Sequence, residues 1–552
     1  MGTRSGRVAA LCVWLTVMVV GGVILAVVFG LNLFPRLDDG GAALHDLQPA
    51  FRQPRVVGTA AGVGVISDAV EVAEPLMTPS GGGAREATHL VKFLSEQTGL
   101  SQAQVLVAVA AHFPHLAGLL EALPLSSVSA ELPGLETFLA SLLHVTPTQL
   151  VHTLSVHFPA LYEAIANLPA VTTGWNHVPN LAGLTTFTGV PVTTVPQFRS
   201  YVSSDVVPML ATQRTNFDRL HRDWPPVSGI PIWLAVEGGV IALLGIVMVV
   251  RWRKGMRTRR GGVVAVAPLL LLGLLMFGFV FGFGMYPRLD GGQKLLDAVA
   301  PAFTVPRVDG TAAGVAMVAH VSGVVSPIVT PAGDAAAEVA RLLDTVSRAT
   351  GLTTTQVLYF LNLEFPHATA LLQAIPLTGV QAELPGFEAF VGHLLKLPTA
   401  AVVKAVQVGY PGLYQAITYL PKVTSQWYDI PSTTAMTMFA GGPDPGVAVH
   451  TMPQFVRYLS EDLVPAVAAA RPDMEVVVST SPPLTAFPPA LTVVGGLLTL
   501  YSLGIIILLL ARVPEPAGSA GWVEGILDGR PPPVGGGRER NLPDEVVTSI
   551  FT

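Results

Sequence analysis

The sequence predicts an all-α integral membrane protein with four transmembrane helices and two homologous, all-helical extracytoplasmic domains, laid out as anchor, domain, anchor twice over. Three observations predict it. Of 552 residues, 51% are hydrophobic and only 12% charged, and the mean hydropathy is +0.56, too apolar for an ordinary soluble protein. Four apolar runs, at 9–34, 231–250, 263–285 and 489–511, each reach the ~20 residues a helix needs to cross ~30 Å of hydrocarbon. Finally, the second half of the chain repeats the first.

Taken in order, residues 1–8 form a short N-terminus carrying Arg4 and Arg7. The run at 9–34 is too long for the ~7–15-residue core of a signal peptide and has no small-x-small cleavage site, so it reads as an uncleaved anchor. Residues 35–230 form the first domain, and 231–250 return the chain through the membrane. The loop 251–262 contains "RWRKGMRTRR", six basic residues and no acid. Short basic loops stay in the cytoplasm, which puts both termini inside and both large domains outside. The run 263–285, the second domain at 286–488 and the run 489–511 repeat the plan. The tail 512–552 contains "PEPAGSAG" and "RPPPVGGG", compositions that form no core and read as disordered. Arginine outnumbering lysine, with abundant alanine, glycine and valine, fits the inner membrane of a bacterium. The only cysteine, Cys12, lies in the first run, so the domains are held by packing alone.

The repeat has an offset of 252: "FPRLDDGG" at 34–41 matches "YPRLDGGQ" at 286–293, and "FRQPRVVGTAAGV" at 51–63 matches "FTVPRVDGTAAGV" at 303–315. Without a gap to Trp175 and Trp427, about 40% of positions are identical. The register slips by five in a loop and resumes as "PQFRSYVSSDVVP" against "PQFVRYLSEDLVP". An even number of crossings per half makes these parallel repeats about an axis along the membrane normal. Matched glycines in the apolar runs, such as Gly21 with Gly273, and the pair Gly278 and Gly282 predict close helix packing.

A shorter unit occurs four times: "HFPHLAGLLEALP", "HFPALYEAIANLP", "EFPHATALLQAIP" and "GYPGLYQAITYLP". Ser101, Thr146 and Thr353, each with a glutamine three residues on, predict capping boxes; the fourth copy starts at Pro398 as a first helical residue. A short helix then runs to Phe113, Phe158, Phe365 or Tyr410, where the next proline bends the chain. A second helix follows, closing at Pro124, Pro169, Pro376 or Pro421, with one apolar stripe such as Leu116, Leu119, Leu120 and Leu123. This is a packing unit rather than a site.

Few residues carry chemistry. His112 and His115 have metal-ligand spacing, but two of four copies lose it, so no metal or cofactor is expected. No nucleophile elbow, phosphate loop or dinucleotide fingerprint appears, and a non-enzymatic role is expected. Net charges of about −6 and −5 on the two domains argue against nucleic acid. Arg36 with Asp38, and Arg288 with Asp290, stand just past the first and third runs. They are candidates for a headgroup or partner contact, or plainer interfacial arginines beside an Asp that caps the next helix. Glu237, inside an apolar run, is a candidate proton- or cation-linked acid; lying two turns from the run's outer end, it reads first as interfacial. The twice-used plan is similar in outline to resistance-nodulation-division exporters, from which it departs in having four spans and no acid–base relay beyond Glu237.

The expected function is therefore a scaffold, assembly factor or transporter accessory of the envelope, with membrane lipids and another envelope or membrane protein as partners. The alternative is binding or transport of a lipidic or small apolar ligand between the repeats. The topology has a direct test: a cysteine at Ser127 should react with a membrane-impermeant thiol reagent in intact cells, and one at Thr258 only after lysis. Labelling at Thr258 in intact cells would reverse the assignment.

Overall fold

A computed structural model describes residues 4–77, 82–181, 183–220, 229–253, 259–329, 334–375, 377–433, 435–479 and 482–511. The tail 512–552 and residues 254–258 of the basic loop lie outside them. The first half folds as α1 (Arg4–Gly30), α2 (Leu33–Phe51), α3 (Gln53–Met77), α4 (Gly82–Thr98), α5 (Gln102–His112), α6 (Pro114–Ala122), α7 (Leu125–Leu142), α8 (Pro147–His157), α9 (Pro159–Gly174), α10 (Val195–Tyr201), α11 (Val207–Leu220) and α12 (Ile230–Arg253). The second half repeats this in order: α13 (Arg259–Gly282), α14 (Met285–Val299), α15 (Val305–Val329), α16 (Asp334–Thr350), α17 (Thr354–Glu364), α18 (Pro366–Ala374), α19 (Leu377–Leu395), α20 (Thr399–Gly409), α21 (Pro411–Gln426), α22 (Met452–Arg457), α23 (Val464–Ser479) and α24 (Phe487–Ala511). Among the described residues no strand forms, only two isolated bridges, Thr185 to Pro191 and Thr437 to Ala448.

Five described helices are long and apolar enough to cross a membrane, or up to seven if each bent pair is one span. Three fall on predicted runs, at Leu11–Gly30, Gly229–Arg251 and Leu484–Ile507. The remaining run, 263–285, falls in a bent pair, Val266–Gly282 and Met285–Phe303, meeting at 52°. The bend is made by left-handed residues, Gly284 (φ 59) and its counterpart Asn32 (φ 49) in the first half. The other two candidates, α3 and α15, were not expected from the sequence as spans. They bury 56% and 61% of their apolar windows, against 22–28% for the three on predicted runs. A helix apolar all round suits either a bilayer or a protein core, and the burial of α3 and α15 is that of core helices.

The four helices α1, α12, α13 and α24 form a stem, in which α1 packs on α12 and α13 on α24. Glycine sets both contacts: a Cβ on Gly21 would lie 2.4 Å from the Ala242 nitrogen, and one on Gly273 3.0 Å from the Gly495 carbonyl. Gly278 and Gly282 face open space instead, so the close-packing motif expected there is unused. Trp233 stacks on Phe279 at 4.9 Å and the Tyr501 hydroxyl donates to the Val13 carbonyl at 3.1 Å, joining the two helix pairs.

Above the stem, the repeats do not pack as the two separate domains that 35–230 and 286–488 suggest. Helix α2 packs on α23, α14 on α11, α3 on α21 and α15 on α9; every one of these pairs joins the first half to the second. The two short helices α6 and α18 pack on each other, and a Cβ on Gly118 would lie 2.7 Å from the Ala370 carbonyl. The product is one interleaved head.

Four glutamates fasten it. Glu383 accepts from the Leu116 and His115 amides at 2.9 and 3.2 Å, and Glu131 from Ala368 and His367 at 2.8 and 3.4 Å. Glu86 accepts from Leu413 and Gly412 at 2.8 and 3.1 Å, and Glu338 from Leu161 at 2.8 Å. Each carboxylate sits on the first turn of α6, α18, α21 or α9, where amides have no partner within the helix and the helix dipole favours negative charge. Each reaches from one half to the other.

The four-copy unit is as expected in its caps and bend. Ser101, Thr146 and Thr353 form capping boxes, and the aromatics take φ near −138 before a proline that opens the second helix. Three details differ. Pro398 is the N-cap of α20, not its first residue. Helices α9 and α21 run on through Pro169 and Pro421 to Gly174 and Gln426, while Pro376 lies outside the described residues. Leu119 and Leu120 are only half-buried, because α6 turns Leu116, Ala117 and Ala122 inward toward its neighbours.

Interleaving makes the halves interdependent. Expressed as separate chains divided within 254–258, they should copurify as a one-to-one complex, and neither alone should give a folded monomer. Two independently folded, monomeric halves by light scattering and thermal melting would refute this packing.

Candidate functional site

The residues singled out by sequence do not converge. Arg36 is buried in α2; Nη1 donates to the Pro482 carbonyl at 2.9 Å and Nη2 lies 3.5 Å from the Val477 carbonyl. Arg288, also buried, donates from Nε and Nη2 to the Leu220 carbonyl at 3.2 and 3.1 Å. Each arginine thus meets carbonyls at or just beyond the C-terminal end of a helix from the opposite half, α23 or α11, a favoured place for a cation. Asp38 and Asp290 are exposed and lie inside α2 and α14 rather than at their caps. Those helices start earlier, at Leu33 and Met285, directly after the left-handed residues. Asp290 pairs with Lys294 at 2.7 Å, one turn on.

Glu237 is turned inward. Its side chain is 3% exposed, and Oε1 is buried without a hydrogen-bond partner. One turn away on either side, Trp233 stacks on α13 and Ile241 is fully buried; Glu237 lies on the packed face of α12. His112 stacks on Phe390, while His115 Nδ1 meets the Gln373 carbonyl at 3.0 Å and His367 Nδ1 meets the Glu121 carbonyl at 2.7 Å. The last two contacts close the ends of α18 and α6.

What the sequence did not disclose is a cavity at the centre of the head. It holds about 1240 Å³ of empty space, counting its open mouth, and its walls are almost wholly apolar. Both halves build it, and most lining residues come in repeat-related pairs: Phe51 with Phe303, Thr59 with Thr311, Val63 with Val315. The cavity therefore lies on the axis relating the repeats. The charged side chain on its wall, Arg199, is paired with Glu71.

Two π-helical turns, Val202–Val206 and Tyr458–Leu463, form part of the wall. Their cause is legible in "DVVP" and "DLVP": Pro208 and Pro465 have no amide and crowd the preceding turn. The ladder shifts by one residue, so Val207 donates to the Val202 carbonyl and Val464 to the Leu459 carbonyl. Single π-turns within helices are frequent at functional sites. Behind them, Arg55 donates to the carbonyls of Thr437 and Met438 at 2.8 and 2.9 Å and lies over the Phe439 ring at 4.7 Å. Arg307 repeats this on Thr185, Thr186 and Phe187. Burial pushes the Tyr458 phenol up to about 12 and raises the Asp462 carboxyl, which accepts from the Phe439 amide at 2.6 Å. These groups fix the loops over the π-turns and leave the cavity without a free charge.

A second, smaller apolar cavity lies in the neck formed by α2, α11, α14 and α23, between Arg36 and Leu484 at the stem end and Phe51 at the head end. It shares Leu47, Phe51 and Val299 with the central cavity. Phe51 stacks on Phe217 at 4.4 Å, nearly parallel, and this pair stands where the two spaces meet. No known protein family, curated protein or solved structure matches this chain.

The stem makes its own prediction. Glu237 buries a carboxyl oxygen without a partner, which costs about 1–3 kcal/mol. Glu237→Leu should raise the melting temperature of the purified protein; a fall of several degrees would show that Glu237 contributes a stabilising contact.

Proposed function

We propose that this chain binds an apolar, lipid-like molecule in the central cavity and passes it along the neck, with α1, α12, α13 and α24 as its four membrane spans and the interleaved head outside. The observation that carries this reading is the pair of apolar cavities sharing a wall, one on the repeat axis and one reaching down to the stem. An opening lined by apolar side chains with few polar groups suits a ligand held by burial rather than by charge. Leu484, at the foot of the neck, belongs to the helix turn that leads into α24, so a chain leaving the bilayer meets apolar surface at once. The stacked Phe51 and Phe217 then act as the gate between neck and head. A bacterial inner membrane, with both termini in the cytoplasm, remains the setting that the basic loop and composition support.

The scaffold reading is favoured by a different observation. Helices α5, α17 and α20 expose Val107, Tyr359, Leu363 and Val408, each 65% or more accessible, and a partner that covered them would remove this apolar surface from water.

Mass spectrometry of protein purified from native membranes separates the two. A retained lipid in the wild type, lost in Val63→Phe/Val315→Phe with the melting temperature held within a few degrees, is the expected outcome. No retained lipid, together with a stoichiometric protein partner, would move the assignment to the scaffold.

A further inference from the structure

Beneath the four-copy units the head has two further apolar pockets, and the repeat relates them. The smaller pocket is lined by thirteen residues, seven from the first half and six from the second. Every one has its counterpart, at the same offset of 252, in the wall of the second pocket: Val128 with Val380, Leu161 with Leu413, Leu168 with Leu420 and so on. The two are one site written twice, yet they differ in size. Counting their open mouths, the smaller spans about 420 Å³ and the larger about 900 Å³.

The extra space has an identifiable source. The second pocket extends past the shared wall to six more residues, among them Val391, Val402 and Val406. At the matching positions the first half holds Leu139, Leu150 and Leu154, which are buried core residues at 6%, 1% and 3% exposure and line no part of the smaller pocket. A leucine reaches one methylene further than a valine, and core packing registers even that difference. Two substitutions run the other way, Phe387 for Leu135 and Leu116 for Ala368, but both lie in the shared wall and neither closes the extension. In the first half three leucines fill the extension; in the second, three valines leave it empty.

We infer that the pocket among α6, α19, α20 and α21 is a second binding site, not matched at its repeat-related counterpart, for an aliphatic molecule without an anionic end. The apolar wall supplies the affinity through burial. The exclusion follows from Glu388, the one charged side chain on that wall: a ligand carboxylate or phosphate brought beside it would meet like charge, whereas a hydroxyl or an amine would not. The site is separate from the central cavity, with which it shares no lining residue, and it stands or falls independently of the function proposed above.

The test uses the full chain in lipid nanodiscs and the neutral apolar fluorophore N-phenyl-1-naphthylamine, in a Val63→Phe/Val315→Phe background that occupies the central cavity. Saturable binding should persist there. It should weaken at least tenfold in Val402→Leu/Val406→Leu, which installs the residues the first half already accommodates. Dodecanol and dodecylamine should displace the fluorophore at least tenfold better than dodecanoate. The reciprocal change, Leu150→Val/Leu154→Val, should add a second equivalent of binding and keeps the test decisive if the valine-to-leucine variant fails to fold. Absence of saturable binding in the blocked background, binding indifferent to both pairs of substitutions, or preference for dodecanoate would each overturn the inference.

Discussion

The head depends on one contact made four times: a glutamate from one half resting on the first turn of a short helix from the other. The contact exists because the chain breaks each unit at an aromatic–proline step. A proline at the first helical position is compatible with the helix but leaves the following amides unpaired, and a carboxylate is the side chain that answers both their donors and the dipole. Hydrogen bonds to a charged acceptor are worth about 1.5–3 kcal/mol each. Glu338, 2% exposed, is the most deeply buried. Because Glu86, Glu131, Glu338 and Glu383 all cross between halves, they both stabilise the units and dictate which units meet.

The local grammar of this protein was legible in its sequence. The apolar runs, the capping boxes at Ser101, Thr146 and Thr353, and the bend at Phe113 and its three echoes all depend on residues within one turn of each other. The interleaving was not legible, for a reason inherent in duplication. When α3 and α15 carry the same pattern, a surface on α21 that fits one fits the other, so the sequence does not distinguish packing within a half from packing across halves. The same degeneracy hid the partners of Arg36 and Arg288. "PRLD" shows a basic residue near the end of an apolar run but says nothing of the carbonyls of α11 and α23 that receive it.

The cavities were illegible for another reason. Hydrophobic patterning shows which residues avoid water; it does not show whether they touch one another. Val63 and Val315 are buried core positions, yet they border an opening. Only the contrast between two copies makes such space visible in a sequence. Leucine at 150 with valine at 402, and leucine at 154 with valine at 406, was a volume difference available from the start, but it acquires meaning only once the walls are known. Glu237 is intermediate: its depth along α12 was readable, and the direction it faces was not.

Interleaving also imposes an order on synthesis. Helix α2 ends at Phe51, and its packing partner α23 begins at Val464. At a translation rate of ~5–20 residues per second, α2 waits on the order of 20–80 s for its contact. Over that interval α6, α9 and the neck face of α2 have apolar surface and unanswered amides but no second half to cover them. The hairpin of α1 and α12 closes on glycine contacts within the first half alone, so the stem can form early while the head must wait. A newly made first half is therefore a natural client for a chaperone at the membrane surface, and the completed chain is not.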